Sequence, residues 1–170
     1  MNTQTEPDLG MRFRHAAGSF PTGVTVLSTV VDGEPYGMTV NSFASISIDP
    51  LLVLASVNSN SRTYKQVERS GMFAVTVLGN GQQQVAQWFA NSARPTGAVA
   101  FADIPWRPAP HSRSPILAEG ISYFDCVVDH VHVVGDHTMV IGAVRVFDVL
   151  SDRPPLLFVQ SRFAQLPDKG

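Results

Sequence analysis

Two long runs rich in β-branched residues, 121–134 and 138–150, are separated only by the step Gly135-Asp136-His137. So short a link leaves no chain for a crossover, so the two runs pair as one antiparallel hairpin of long strands. The rest of the chain agrees with an antiparallel sheet. Residues 24–31 alternate β-branched and small side chains and reach Asp32-Gly33, a hairpin signal, with a return strand from Tyr36-Gly37-Met38-Thr39. Further strands are expected at 43–48, 51–57, 72–78 and, after the break at Pro154-Pro155, 156–159.

Helical signals are few and short. Residues 9–18 end in Gly18, residues 62–70 are closed by Gly71, and 82–90 place Val85, Trp88 and Phe89 on one face. The expected fold is mainly β, a closed or nearly closed antiparallel barrel with a few short helices. A doubly wound nucleotide fold is disfavoured, since there is no Gly-x-Gly-x-x-Gly and no regular strand–helix alternation. The 170 residues read as one domain, with 1–8 a flexible polar start and 91–115 a long, partly mobile excursion anchored by Phe101 and Trp106.

Composition removes several function classes. A formal net charge of −2 gives no electrostatic footprint for nucleic acid or a membrane surface. No apolar run approaches the roughly 20 residues that span a bilayer, and the polar start carries no secretory pattern, so a soluble cytoplasmic protein is expected. The one cysteine, Cys126, lies in an apolar run without a companion His or Cys and reads as core. No nucleophile elbow or paired-carboxylate spacing is present, which fits chemistry carried by a cofactor.

The most suggestive chemistry lies at 38–64. The apolar run 51–57, which reads as a strand buried on both faces, changes abruptly to Asn58-Ser59-Asn60-Ser61 and then to a helix from Arg62. The first amides of that helix lack intrahelical partners, so an anion placed there meets several donors, with Arg62 as a charged one. Upstream, Thr39, Ser42, Ser45 and Ser47 form a second hydroxyl cluster, and strict alternation would set Ser45 and Ser47 on one face. Capping alone also explains the serines. His130 and His132 share a strand face near His137, an imidazole set that could serve a metal, although no nearby carboxylate pattern completes a known triad. Phe43 and Phe89 each adjoin a polar cluster, although core packing explains most aromatics here.

Taken in order, Thr39-Val40-Asn41-Ser42-Phe43-Ala44-Ser45-Ile46-Ser47, Asp49-Pro50-Leu51-Leu52-Val53, residues 58–63 and Gly135-Asp136-His137 resemble the short-chain flavin reductase family. The resemblance runs from about Phe13 to Phe163. It implies an FMN-binding split barrel of antiparallel Greek-key type, a homodimer, and an NAD(P)H:flavin oxidoreductase that passes reduced flavin to a partner monooxygenase. It also implies that Thr39, Val40, Asn41 and Ser42 line the ring and ribityl region of FAD or FMN, with Ser45 and Ser47 toward the phosphate end. Ala55, Ser56 and Val57 would pass beside the ring. Asn58, Ser61 and Arg62 would hold phosphate, Phe89 would meet the ring edge, and Gly135, Asp136 and His137 would meet the nicotinamide nucleotide. NADH is favoured over NADPH because no Arg pair adjoins Gly-Asp-His in sequence. No ligand contact is assigned to 91–97. A flavin carrier or sensor without reductase activity is the alternative.

Overall fold

The structure, a computed structural model, describes residues 6–166. Of the expected flexible start, residues 1–5 lie outside the described residues, and Glu6 already belongs to a helix. In chain order the elements are α1 (Glu6–Ala17), β1 (Thr22–Gly23), β2 (Thr25–Val31), β3 (Glu34–Val40), β4 (Phe43–Ile48), β5 (Leu51–Asn58), α2 (Arg62–Ser70), β6 (Met72–Val77) and α3 (Gln83–Ala90). A 3-10 turn (Gly97–Phe101) follows, then β7 (Trp106–Pro108), β8 (Pro115–Leu117), β9 (Ser122–Val134), β10 (His137–Val149), β11 (Leu156–Val159) and β12 (Arg162–Gln165). The chain is therefore mainly β with three α-helices among the described residues.

Seven strands form one antiparallel sheet in the order β3-β2-β6-β9-β10-β5-β4. The β9–β10 hairpin is its spine, paired from His137↔Val134 to Val149↔Ser122 around two bulges. Gly135, at φ 62°, supplies the left-handed conformation the two-residue turn requires. Strands β3 and β4 are the edges, and no ladder joins them, so the sheet is not a closed barrel. It nevertheless curls: Val40 from β3 and Val53, Ala55 and Val57 from β5 bury in one cluster with Leu27, Phe73, Val75, Cys126 and Val140. A second cluster, with Val24, Val26, Leu78, Phe89, Phe101 and Leu156, lies beneath α3 and the 3-10 turn.

Helix α2 covers one mouth of the curl. Ser61 is its N-cap, its hydroxyl accepting from Tyr64 N at 3.1 Å, a contact worth about 1 kcal/mol. Gly71 ends the helix at φ 66°. Its inner face buries Thr63, Tyr64 and Val67, the latter two contributing on the order of 2 kcal/mol each.

Two expectations change. Strand β5 is buried on one face only: Val53, Ala55 and Val57 are buried, while Leu52, Leu54 and Ser56 are partly exposed. A β-bulge interrupts β4, so Ser45 pairs with Val53 and Ser47 with the adjacent Leu52. Neighbouring positions on β5 face opposite ways, and the two serines therefore separate onto opposite faces. On α3 Ala86 and Phe89 are buried, Val85 packs against the same cluster, and Trp88 reaches Ala100 O from the helix edge. Within residues 91–115 Phe101 is buried, as are Ala109, Ser112 and Ser114, while Trp106 is half-exposed against the Phe101 ring. The buried Asp125 carboxylate holds this segment, accepting from His111 N at 2.7 Å and Ser112 N at 3.1 Å.

Candidate flavin and nucleotide site

The polar rim forms where β5 ends, β10 begins and α2 starts. The ladder pairs Asn58 with His137, so the Gly135-Asp136-His137 turn lies directly beside the β5–α2 loop. That loop is tied to the turn twice. Ser59 N donates to Asp136 O at 3.1 Å, and the Ser59 and Thr138 hydroxyls share a 2.8 Å hydrogen bond. Asn58 shapes the next three residues, its Oδ1 accepting from Asn60 N at 2.8 Å and its main-chain oxygen from Ser61 N at 3.0 Å. These turns deliver Ser61 to the capping position. The amides of Arg62 and Thr63, one and two places into the helix, then have no carbonyl a turn behind them.

A cleft of about 230 Å³ opens at this helix end. Its walls are Met38 and Thr39 of β3, residues 60–63, Phe89 and Ala90 of α3, and Ser92 and Arg94 beyond. Thr39, Ser61, Arg62 and Phe89 thus meet in one place. Phe89 is buried, with Arg94 over its ring at 5.5 Å from the centroid. Thr39 donates to Ala86 O at 2.6 Å, fixing α3 against β3.

The β3–β4 turn is adjacent and exposed. Asn41 Nδ2 donates to Thr22 Oγ1 at 3.3 Å, and Ser42 donates to Ser56 O at 2.5 Å. The side chains of Val40, Ala55 and Val57 are buried in the core, so only their main chain can face a ligand. Ser45 and Ser47 do not line this cleft; they border a separate hollow along β4 with residues 46, 48 and 49.

Sequence reasoning missed Arg94 and Ser92. Arg62 Nη2 donates to Ser92 O at 2.6 Å and to Arg94 O at 3.0 Å, while Arg94 donates to Gly37 O and, at 2.7 Å, to Asn91 O. Burial, and then the like charge of Arg62, lower the Arg94 pKa from its ordinary value. Among the described residues neither guanidinium has a carboxylate partner. Two cations beside unpaired helix amides, with no acid lining the cleft, fit a phosphate. No sequence periodicity marks Arg94, because only the tertiary fold brings 91–94 to the head of α2.

In the adjoining turn, His137 Nδ1 bonds Asp136 Oδ1 at 2.8 Å, which leaves Nε2 for a ligand. That hydrogen bond, together with the imidazole's charge, holds the Asp136 carboxyl below the usual carboxylate range. His130 and His132 do share a face, their ring centroids 6.3 Å apart. Among the described residues, however, no three His, Cys, Asp or Glu side chains converge as a metal set. No described helix is long and apolar enough to cross a membrane.

Fold and cleft together define a class: a β-protein with an Arg-lined cleft, free of acidic side chains, at a helix end and a second, His-bearing loop tied beside it. Within that class the chain belongs to the flavin reductase-like domain family, whose model matches residues 17–167. It is 39% identical over 159 residues to the flavin-dependent monooxygenase reductase subunit HsaB of Rhodococcus jostii, covering 93% of this chain and 79% of that protein. It is 36% identical over 164 residues to the NADH-dependent FAD reductase of Streptomyces globisporus, covering 96% and 90%. The solved structure of the Streptomyces globisporus NADH:FAD oxidoreductase SgcE6, in complex with NAD and FAD fragments, superposes with a TM-score of 0.89 at 31% identity, covering 98% of each chain.

Proposed function

We propose that this chain is an NADH-dependent flavin reductase that supplies reduced flavin to a separate flavin-dependent monooxygenase. The observation that carries this reading is the pairing of Asn58 with His137, which sets the phosphate cleft and the Gly-Asp-His turn side by side. Relatives named as reductase subunits of monooxygenases and as NADH-dependent FAD reductase support it.

The residues divide the work by position. The amides of Arg62 and Thr63, with Arg62 and Arg94, hold the flavin phosphate; Asn58 and Ser61 shape that seat. Thr39, Val40, Asn41, Ser42, Ala55, Ser56 and Val57 line the ring and ribityl side, largely through main chain, with Phe89 at the ring edge and Ser45 and Ser47 farther along β4. Gly135, Asp136 and His137 receive the nicotinamide nucleotide. When bound, the flavin supplies a ring that accepts a hydride from the dihydronicotinamide. The protein's part is alignment, and orientation of two reactants is a large source of rate. The tie from Ser59 to Asp136 and Thr138 fixes the spacing of the two loops.

The curl that brings Val40 and Val53 into one cluster supports a split barrel. The exposed Val131, Val133 and Val134 at one end of the β9–β10 hairpin and Phe147 and Val149 at the other support a homodimer, since exposed apolar side chains favour a partner surface. A soluble, cytoplasmic setting fits a diffusing flavin. The test is steady-state oxidation of NADH and NADPH with FMN and with FAD. Rapid oxidation that depends on added flavin is expected, fastest with NADH; no flavin-dependent oxidation in any pairing ends the proposal.

A further inference from the structure

A second polar hollow, of about 340 Å³, lies between the last turn of α1 and the β11–β12 hairpin, lined by Arg14, His15, Gly18, Gln160, Ser161 and Arg162. Two guanidiniums and an imidazole border it, and no carboxylate does. Among the described residues no ion pair engages Arg14 or Arg162. The dipole at the C-terminal end of α1 accounts for cations at Arg14 and His15. It does not account for Arg162, which arrives from a different element.

The hollow's shape is fixed by the backbone. Gln160 and Ser161 both take left-handed conformations, φ 49° and 61°, and Gln160 N donates to Gly18 O at 2.7 Å. The hairpin is thereby fastened to the chain just beyond α1.

Its position relates it to the flavin rim. Past Gly18 the chain enters β1, whose Thr22 receives the hydrogen bond from Asn41. On the other side, Arg14 is near enough to Asp136 that its charge adds, after the His137 and main-chain hydrogen bonds, to keeping that carboxyl low. The hollow is thus joined through Gly18 and β1 to the segment that meets the β3–β4 turn, and Arg14 lies on its side toward Asp136. Arg14, distant from Gly-Asp-His in sequence, is brought toward it by the fold, and Arg162 joins Arg14 across the hollow.

We infer that Arg14 and Arg162, with His15, seat a phosphate of the reducing dinucleotide, an inference that rests on the flavin reductase reading. The chemistry is that of a phosphate monoanion or dianion taken by paired guanidiniums. Both the pyrophosphate, common to NADH and NADPH, and the 2′-phosphate of NADPH offer it.

The test compares wild type with R14A, R162A and R162K by kinetics and by calorimetric titration with ADP-ribose and 2′-phospho-ADP-ribose. Each alanine variant is expected to weaken the engaged probe, and to raise the matching nucleotide KM, about tenfold or more, with R162K losing less. The flavin KM, and kcat at saturating nucleotide, should hold. Loss with both probes assigns the seat to the pyrophosphate; loss with the 2′-phosphorylated probe alone assigns it to the 2′-phosphate. Folded variants that bind both probes as wild type does, or a wild type that binds neither, overturn the inference. Wild-type protein that oxidises neither nucleotide in the presence of flavin removes the reductase reading itself, a distinct result.

Discussion

Replacing Ser61 by Asp separates the two jobs assigned to the head of α2. As a cap, Asp ranks with Ser, and a carboxylate also complements the positive end of a helix by about 0.3–1 kcal/mol. The Ser61 hydroxyl accepts from Tyr64 N at 3.1 Å, and a carboxylate oxygen at Cγ can take that bond. Thermal stability of S61D should therefore match or slightly exceed wild type. Flavin phosphate is another matter. Two unit charges about 5 Å apart, a reasonable spacing for a cap and an anion on one helix end, interact by about 3 kcal/mol at an effective dielectric of about 20. Repulsion of that size weakens binding about a hundredfold. Riboflavin has the ring and ribityl chain without the phosphate, so its affinity should fall by less than about threefold. The assay is fluorescence titration of FMN, FAD and riboflavin, with thermal melts on the same samples. Equal losses for FMN and riboflavin, or unchanged FMN affinity in a stable S61D, would refute phosphate binding at this helix end.

Three further outcomes rest on other parts of the structure. H137A should raise the NADH KM or lower turnover by about tenfold or more while flavin affinity holds; a carrier or sensor would show no nucleotide-dependent activity to lose, which makes this the discriminating variant. Burial, then the charge of Asp125, pushes the Cys126 thiol from 9.0 up to about 12, so native protein should resist iodoacetamide at pH 8.5 and react only when unfolded. Because the unfolded thiol ionises first, this group's contribution to stability is whole below about pH 9 and is lost as pH rises toward 12, visible as a falling Tm in alkaline melts. G142A should cost about 1–3 kcal/mol, since a Cβ there would lie 2.4 Å from Phe73 Cζ and 3.0 Å from Cys126 Cβ, and a denaturant midpoint unchanged from wild type would contradict it.

The features legible in the sequence are local. The β9–β10 hairpin, the turn at Asp32-Gly33 and the span and caps of α2 arise from turn and capping residues that act within a few positions. The features that were not legible depend on a partner far along the chain. The bulge in β4 is a relation between Ser45, Ser47 and the strand beside them, so alternation alone predicted one face. The tract 91–115 read as held only by Phe101 and Trp106 because a further anchor, Asp125, is buried on β9 and offers a carboxylate to main-chain amides that carry no sequence signature. Arg94 escaped notice for the same reason, as did the meeting of Arg14 with Arg162. Likewise β5 reads as a continuous apolar run, yet half of it faces away from the core.

The adjacency of β5 and β10 brings the two candidate binding loops to one end of the sheet. In an antiparallel pair the end of one strand meets the start of the other, so the loop after Asn58 and the loop before His137 must emerge together. A parallel arrangement would send them to opposite ends. The Ser59–Asp136 and Ser59–Thr138 hydrogen bonds then remove most of the freedom left between the loops. Under the proposed reading, in which two rings must be aligned, such a tie would serve that alignment even though neither Ser59 nor Thr138 need touch a ligand.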